Sequence, residues 1–222
     1  MTEALARTHA GCRESAVTAG NAPRTYTFDE YLAVERAAEF RHELVDGVIR
    51  ERARSNLAHN LIVGNLAGEG SRQLKGRPEQ VFAVDMRVKV EATGRVAYPD
   101  VVIVCGDPRF ADGVKDTLLN PLVLIEVLSP STEADDRGER FAHYRRIDSL
   151  AEYVLVSQDR ARVEHYRRQG EQWLLTEYSG VDSALELPTV DCRIPLQEIY
   201  DKVEFGTGAP SEIANADGPT TG

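Results

Sequence analysis

The sequence predicts an α/β fold of the α+β kind, a mixed sheet with flanking helices and a C-terminal β-meander, and three observations predict it. Two short β-branched runs, Val101-Val102-Ile103-Val104-Cys105 and Pro121 to Leu128, are bounded by turn residues, as strands buried on both faces are. Helix-start signals stand ahead of apolar periodic stretches at Thr27 and Ser55. Beyond Glu152, strand-like runs alternate with short polar turns.

Residues 1–24 lack aromatic and branched apolar density and predict a disordered tail. Thr27 with Glu30 three residues on is a capping-box pattern, starting a helix expected to reach about Phe40. Glu43-Leu44-Val45-Asp46-Gly47-Val48-Ile49 alternates like a strand around a turn or bulge at Asp46-Gly47. Ser55 is placed to cap a second helix to about Gln73, with Leu57, Leu61, Ile62 and Leu66 on its apolar side. Val81 to Val90 reads as one half-buried strand, with Val84, Met86, Val88 and Val90 inward and Asp85, Arg87, Lys89 and Glu91 outward. The two buried strands follow, joined by a polar loop from Gly106 to Asn120, and Cys105 is expected to pack in the first as a small hydrophobe. Ser131 or Thr132 can cap a helix from Asp135 to Ile147, which brings Arg137, Arg140 and Tyr144 towards one side. Runs at 153–156, 162–168 and 172–178 make the meander, with Trp173 in the core. Ile194 to Tyr200 suits a short closing helix with Pro195 in its first turn, and 202–222 predicts a second disordered tail.

Composition narrows the class. With 222 residues, 42% hydrophobic and 28% charged, the chain suits one core, and a single domain is expected over residues 25–201. No run of about 18 apolar residues exists to span a membrane, and the first residues lack a secretory h-region. Three cysteines, Cys12, Cys105 and Cys192, are an odd number at wide spacing, which argues against a disulfide framework or a zinc ribbon and for a reducing, cytoplasmic setting.

Glu126 is the anomaly, a carboxylate in the middle of a buried apolar strand. If the two buried strands run antiparallel with Cys105 opposite Pro121, Asp100 lies directly across from Glu126, with Cβ atoms about 5 Å apart. Two carboxylates that close repel unless a divalent ion or a basic group sits between them.

Tyr98-Pro99-Asp100-Val-Val-Ile-Val, Ile125-Glu126-Val-Leu-Ser-Pro-Ser-Thr and Asp136-Arg-Gly-Glu-Arg140-Phe with Tyr144 resemble the Uma2 family of endonucleases. Glu43-Leu-Val-Asp-Gly47, His59 and Glu152-Tyr-Val-Leu-Val156 extend the likeness, which covers residues 24 to 200. The resemblance implies a PD-(D/E)XK, restriction-endonuclease-like core and a metal-dependent endonuclease that hydrolyses phosphodiester bonds in DNA. It implies Asp100 and Glu126 as ligands of Mg²⁺ or Mn²⁺, with Glu43 as a third acid at the metal. On the residues alone, Glu43 reads more readily as a surface carboxylate paired with Arg41 or Arg50. The superfamily pattern wants Glu-x-Lys, but Leu128 holds the third position, and where the family carries a lysine on the following helix this chain has Arg140. Arginine stabilises developing charge but cannot serve as general base near neutral pH. That leaves open a catalytically inactive nuclease-fold protein that binds nucleic acid or a protein partner.

His59, Lys89, Arg137 and Tyr144 are the candidate substrate contacts. His59 reads otherwise as an ordinary helical histidine and Lys89 as a solvated strand residue. The net charge of −10 is unusual for a phosphate binder, although eight arginines stand against five acids between Arg137 and Arg168. Those arginines make either a phosphate-binding face or a solvated face laced with ion pairs. Cutting both strands would suit a homodimer.

Overall fold

The computed structural model describes residues 24–52 and 54–205. The predicted disordered tails lie outside the described residues except at their inner ends, where Val203 and Phe205 pack on the core beside Tyr200.

Thr27 caps the first helix reciprocally: its hydroxyl accepts the Glu30 N–H, and the Glu30 carboxylate accepts the Thr27 N–H. Helix α1 (Phe28–Glu35) ends before Phe40, since Ala37 and Ala38 tighten into three-residue bonds and Phe40 is exposed. Strands β1 (His42–Val45) and β2 (Val48–Glu51) form a hairpin. Its two-residue turn, Asp46 at φ 50 and Gly47 at φ 77, is left-handed at both positions, as a type I′ turn needs. Asn56, not Ser55, caps α2 (Leu57–Gln73) by accepting the His59 N–H. The buried stripe of α2 is His59, Ile62, Val63, Leu66 and Gly70, and Leu57 is exposed instead of inward.

The alternating segment 81–90 is two strands, not one. β3 (Glu79–Ala83) and β4 (Arg87–Lys89) belong to different sheets, and Val84 turns the chain between them at φ 71, an unusual conformation for a β-branched residue. Val84 is therefore exposed, while Arg87 is buried against Thr117, the Tyr98 hydroxyl and Asp116. Next come β5 (Val96–Ala97), β6 (Val101–Cys105), β7 (Thr117–Leu118) and β8 (Val123–Val127). Cys105 at the end of β6 is exposed beside Glu79 rather than packed in the core. The expected 135–147 helix is two short ones, α3 (Glu133–Arg137) and α4 (Glu139–Tyr144), broken at Gly138. A Cβ there would sit 2.9 Å from the Ala134 carbonyl oxygen, so the bend needs glycine. The meander is present as β9 (Glu152–Val156), β10 (Arg162–Gln169) and β11 (Gln172–Ser179), although Trp173 is only partly buried. β12 (Ala184–Leu187), β13 (Cys192–Pro195) and α5 (Leu196–Ile199) close the described chain, with Pro195 ending the strand instead of entering the helix.

The strands make a six-stranded sheet, β11-β10-β9-β8-β6-β3, and a five-stranded sheet, β2-β1-β5-β4-β7, with β12-β13 separate. Parallel pairing of β8 with β9 and of β4 with β7 makes both larger sheets mixed. Strand alternation divides the core of the six-stranded sheet into two faces. Val101, Ile103, Val123 and Ile125 pack under α2, α5 and the β12-β13 hairpin. Val102, Val104, Leu124 and Leu128 pack against α4 and the five-stranded sheet.

Candidate active site

Strands β6 and β8 pair antiparallel with Val101 opposite Ile125 and Val102 opposite Leu124, so the same register carries Asp100 to the position across from Glu126. By the two-residue period, both carboxylates belong to the face that meets α4 and the five-stranded sheet. Glu43 reaches this point from β1, and α4 supplies Arg140. The four side chains, with His59, line one cavity of about 670 Å³.

Arg140 is the connector. Its Nη2 donates to Glu43 Oε2 at 2.9 Å and its Nη1 to Glu126 Oε1 at 3.3 Å, so one guanidinium joins acids from both sheets. Its Nε donates to Asp135 Oδ2 at 3.0 Å and lies 3.0 Å from Asp136 Oδ1. Glu43 also accepts the backbone N–H of Tyr98. Tyr98 is itself pinned to α1 by its hydroxyl, which donates to buried Glu35 at 2.6 Å. Asp100 is held separately: Oδ1 accepts from Arg52 at 2.6 Å, Oδ2 accepts the Val127 N–H at 2.8 Å, and His59 Nε2 lies 3.1 Å from Oδ2. The Tyr144 hydroxyl donates to Glu126 Oε1 at 3.0 Å.

The electrostatics separate the two central acids. Burial alone would raise the Asp100 carboxyl, but His59, Arg52 and the Val127 N–H bring it below the usual carboxylate range. Glu126 goes the other way, well above its ordinary value: burial dominates, and the nearby charges of Asp136, Asp100 and Glu43 add to it against the opposing pull of Arg140. Asp136 is likewise pushed up, to about 6, chiefly by burial. Seven acids and five arginines line the cavity, so its wall carries two surplus negative charges when all are ionised.

The sequence profile of the Uma2 family, described as "Putative restriction endonuclease", matches residues 28–197. The chain belongs to the Uma2 family. Two Synechocystis sp. relatives, the uncharacterized proteins sll1609 and slr1290, are similar along most of their length. The first is 35% identical over 161 residues, covering 72% of this chain and 91% of the relative. The second is 30% identical over 178 residues, covering 80% and 92%. A crystal structure from Anabaena variabilis, described as "a putative nuclease belonging to DUF820", superposes with a TM-score of 0.65 at 18% identity, over 78% of this chain and 97% of that one. The fold of this Uma2 chain is thus the restriction-endonuclease-like α+β architecture.

Within this Uma2 chain, Asp100, Glu126, Glu43, Arg140 and His59 come together, and three expected substrate contacts do not. Lys89 sits on β4 with its ammonium 3.8 Å from the centre of the Phe28 ring, outside the cavity lining. Arg137 is separated from Arg140 by the bend at Gly138 and pairs with Glu133 and Glu164 beside a smaller hollow. Tyr144 is fully buried, so it orients Glu126 rather than meeting a substrate. Half of the eight arginines from Arg137 to Arg168 are committed, Arg137 and Arg140 among them. Arg162 pairs with Glu164 and Glu177, and Arg168 donates to the carbonyls of Arg145 and Ile147.

The sequence reading passed over Arg52, Arg95 and Asp135. Arg95, 1% exposed, donates to Asp135 at 2.5 Å and lies 3.9 Å from Glu43. Asp135 adjoins the Asp136–Arg140 motif and was within reach of a pattern argument. Arg52 and Arg95 lie in polar connecting segments, and only tertiary structure brings them to the acids.

Proposed function

We propose that this protein is a metal-dependent endonuclease that hydrolyses phosphodiester bonds in DNA, with Asp100, Glu126 and Glu43 holding Mg²⁺ or Mn²⁺. One observation carries the reading: the β6-β8 register sets Asp100 and Glu126 across from each other on one face, at a cavity they share with Glu43 and Arg140. The donor chemistry fits the ion: the oxygens are hard carboxylate donors, as Mg²⁺ requires, although among the described residues the three acids do not bring ligand atoms within 4.8 Å of one another, so one or two of them would hold the ion together with waters. The Glu126 carboxyl, raised chiefly by burial, is a group that a bound cation would help to ionise. The family's description as a restriction endonuclease supports DNA as the substrate class.

When bound, such an ion polarises a phosphoryl oxygen and acidifies a water. The chain's own groups do the positioning. Arg52, His59 and the Val127 N–H hold Asp100 ionised and fixed, and Tyr144 aims Glu126. Arg140, braced by Glu43 and Asp135, presents a permanent positive charge to the cavity, where negative charge develops on phosphorus oxygens during attack. No lysine lines the cavity among the described residues. Arg140 therefore takes the stabilising part of a lysine's role and not its proton-accepting part.

A second reading has a specific observation in its favour. Arg140 already bridges Glu43 and Glu126, so the acids are partly neutralised from within, as in a nuclease fold retained for binding nucleic acid or a protein. Supercoiled plasmid incubated with Mg²⁺ or Mn²⁺ separates the two. The enzyme is expected to nick it, with Asp100→Asn and Glu126→Gln each slowing the reaction about a hundredfold or more. DNA binding without cleavage by the wild-type chain at any Mn²⁺ concentration would select the binding module. Sedimentation of the chain on DNA tests whether it cuts as a homodimer.

A further inference from the structure

We infer that Asp46, Glu139 and His143 form a second metal site, suited to a borderline divalent cation such as Zn²⁺, that clamps the β1-β2 hairpin to α4. Glu139 and His143 are four residues apart on one side of α4, and Asp46 comes from the hairpin turn opposite. One potential ligand atom from each lies within 4.8 Å of the others. The imidazole is already oriented: Nδ1 lies 2.8 Å from Thr93 Oγ1, which leaves Nε2 towards Asp46, 4.0 Å from Oδ1. A hydrogen-bonded second nitrogen is the usual arrangement of a metal-ligating histidine. Charge balance points the same way. Most acids at this end of the molecule have arginine partners, yet among the described residues no lysine or arginine lies within ion-pair distance of Asp46 or Glu139. Two carboxylates and an imidazole, with the fourth position open to water, suit Zn²⁺ better than Mg²⁺.

The site has a consequence for its neighbour. Asp46 follows Glu43 by three residues and Glu139 directly precedes Arg140, so an ion here ties together the two elements that the Glu43–Arg140 contact joins. The inference does not depend on nuclease activity.

The test is Zn²⁺ titration of the chelator-treated full chain by calorimetry, with Co²⁺ absorption as a ligand-field readout. A Zn²⁺ site that persists at one per chain in Asp100→Asn is expected, and it should be lost in His143→Ala. Thr93→Val, which only frees the imidazole, should weaken binding about 10- to 100-fold. The inference is overturned if the wild type binds no Zn²⁺, if folded His143→Ala keeps the same stoichiometry and affinity, or if Asp100→Asn abolishes the binding. Should His143→Ala fail to fold, Asp46→Asn decides instead, because that exposed side chain occupies a left-handed position that asparagine also tolerates.

Discussion

Arg140 is the residue on which the cavity balances. It is buried among Glu43, Glu126, Asp135 and Asp136, so removing it strands several acids at once. Arg140→Met is expected to destabilise the fold by about 3–5 kcal/mol in urea unfolding. If the acids hold a divalent ion, Mn²⁺ should raise the melting temperature of this variant more than that of the wild type. Equal shifts would count against a shared role for the arginine and the metal. Tyr144→Phe is a gentler probe, since it deletes one hydrogen bond to a buried carboxylate and leaves the volume unchanged. A loss of about 1–3 kcal/mol is expected, and on the proposed nuclease function plasmid nicking should be impaired as well, although the hydroxyl is buried. Glu126 was legible at this scale because a carboxylate inside a β-branched strand violates partition rules. Lys89 misled because an exposed-face lysine looks the same whether it meets phosphate or, as here, the Phe28 ring.

Gly138 sets the relation between α3 and α4. Adding a methyl would force a Cβ to within 2.9 Å of a backbone carbonyl, so Gly138→Ala is expected to cost about 1–3 kcal/mol and to shift Arg140 from its acids. Plasmid nicking should fall by more than stability alone explains. The 106–120 loop is tied down by a second set of charges, Arg36 and Arg87 on Asp116, which join α1 and β4 to it. Burial acts upward on Asp116, but the two guanidiniums prevail and hold it below the usual carboxylate range. A carboxyl depressed in the folded state contributes stability above its unfolded pKa of about 3.9, and loses it as pH falls through the lower folded value. Asp116→Asn should therefore be less stable than wild type by a constant margin between pH 5 and 7, and that margin should shrink below about pH 4. Urea midpoints at pH 7 and pH 3 measure it. The break in the 81–90 segment was not legible, because β-alternation continues through Val84 while the backbone changes sheets. The β6-β8 register found is the one supposed from Cys105 opposite Pro121, but strands apolar on both faces and a fifteen-residue loop did not dictate it.

At the scale of the whole molecule the net charge of −10 and the internal pairing of Arg137, Arg140, Arg162 and Arg168 limit phosphate contacts to the few remaining arginines. Binding of duplex DNA should show a log-log salt slope of only about −2 to −4, equivalent to a few displaced counterions. A slope near −8 would mean that the internal ion pairs open on binding. Composition could count the arginines but could not see their partners, most of which come from other strands and helices. The likeness in the Tyr98–Asp100 and Glu126–Thr132 segments was enough to anticipate the restriction-endonuclease-like architecture, which the comparison with the Anabaena variabilis structure bears out.

At Val84 the backbone leaves one sheet for the other, and the N–H of that residue is bonded to the carbonyl of Asp100 at 3.1 Å. The crossing point and the carboxylate it adjoins thus share a hinge pin. Tilting one sheet against the other, as a book opens along its spine, would draw Glu43 away from Glu126 while Asp100 stayed put beside the spine. The spacing of the acids is in this way a readout of the angle between sheets, and packing changes far from the cavity would reach its chemistry through that angle.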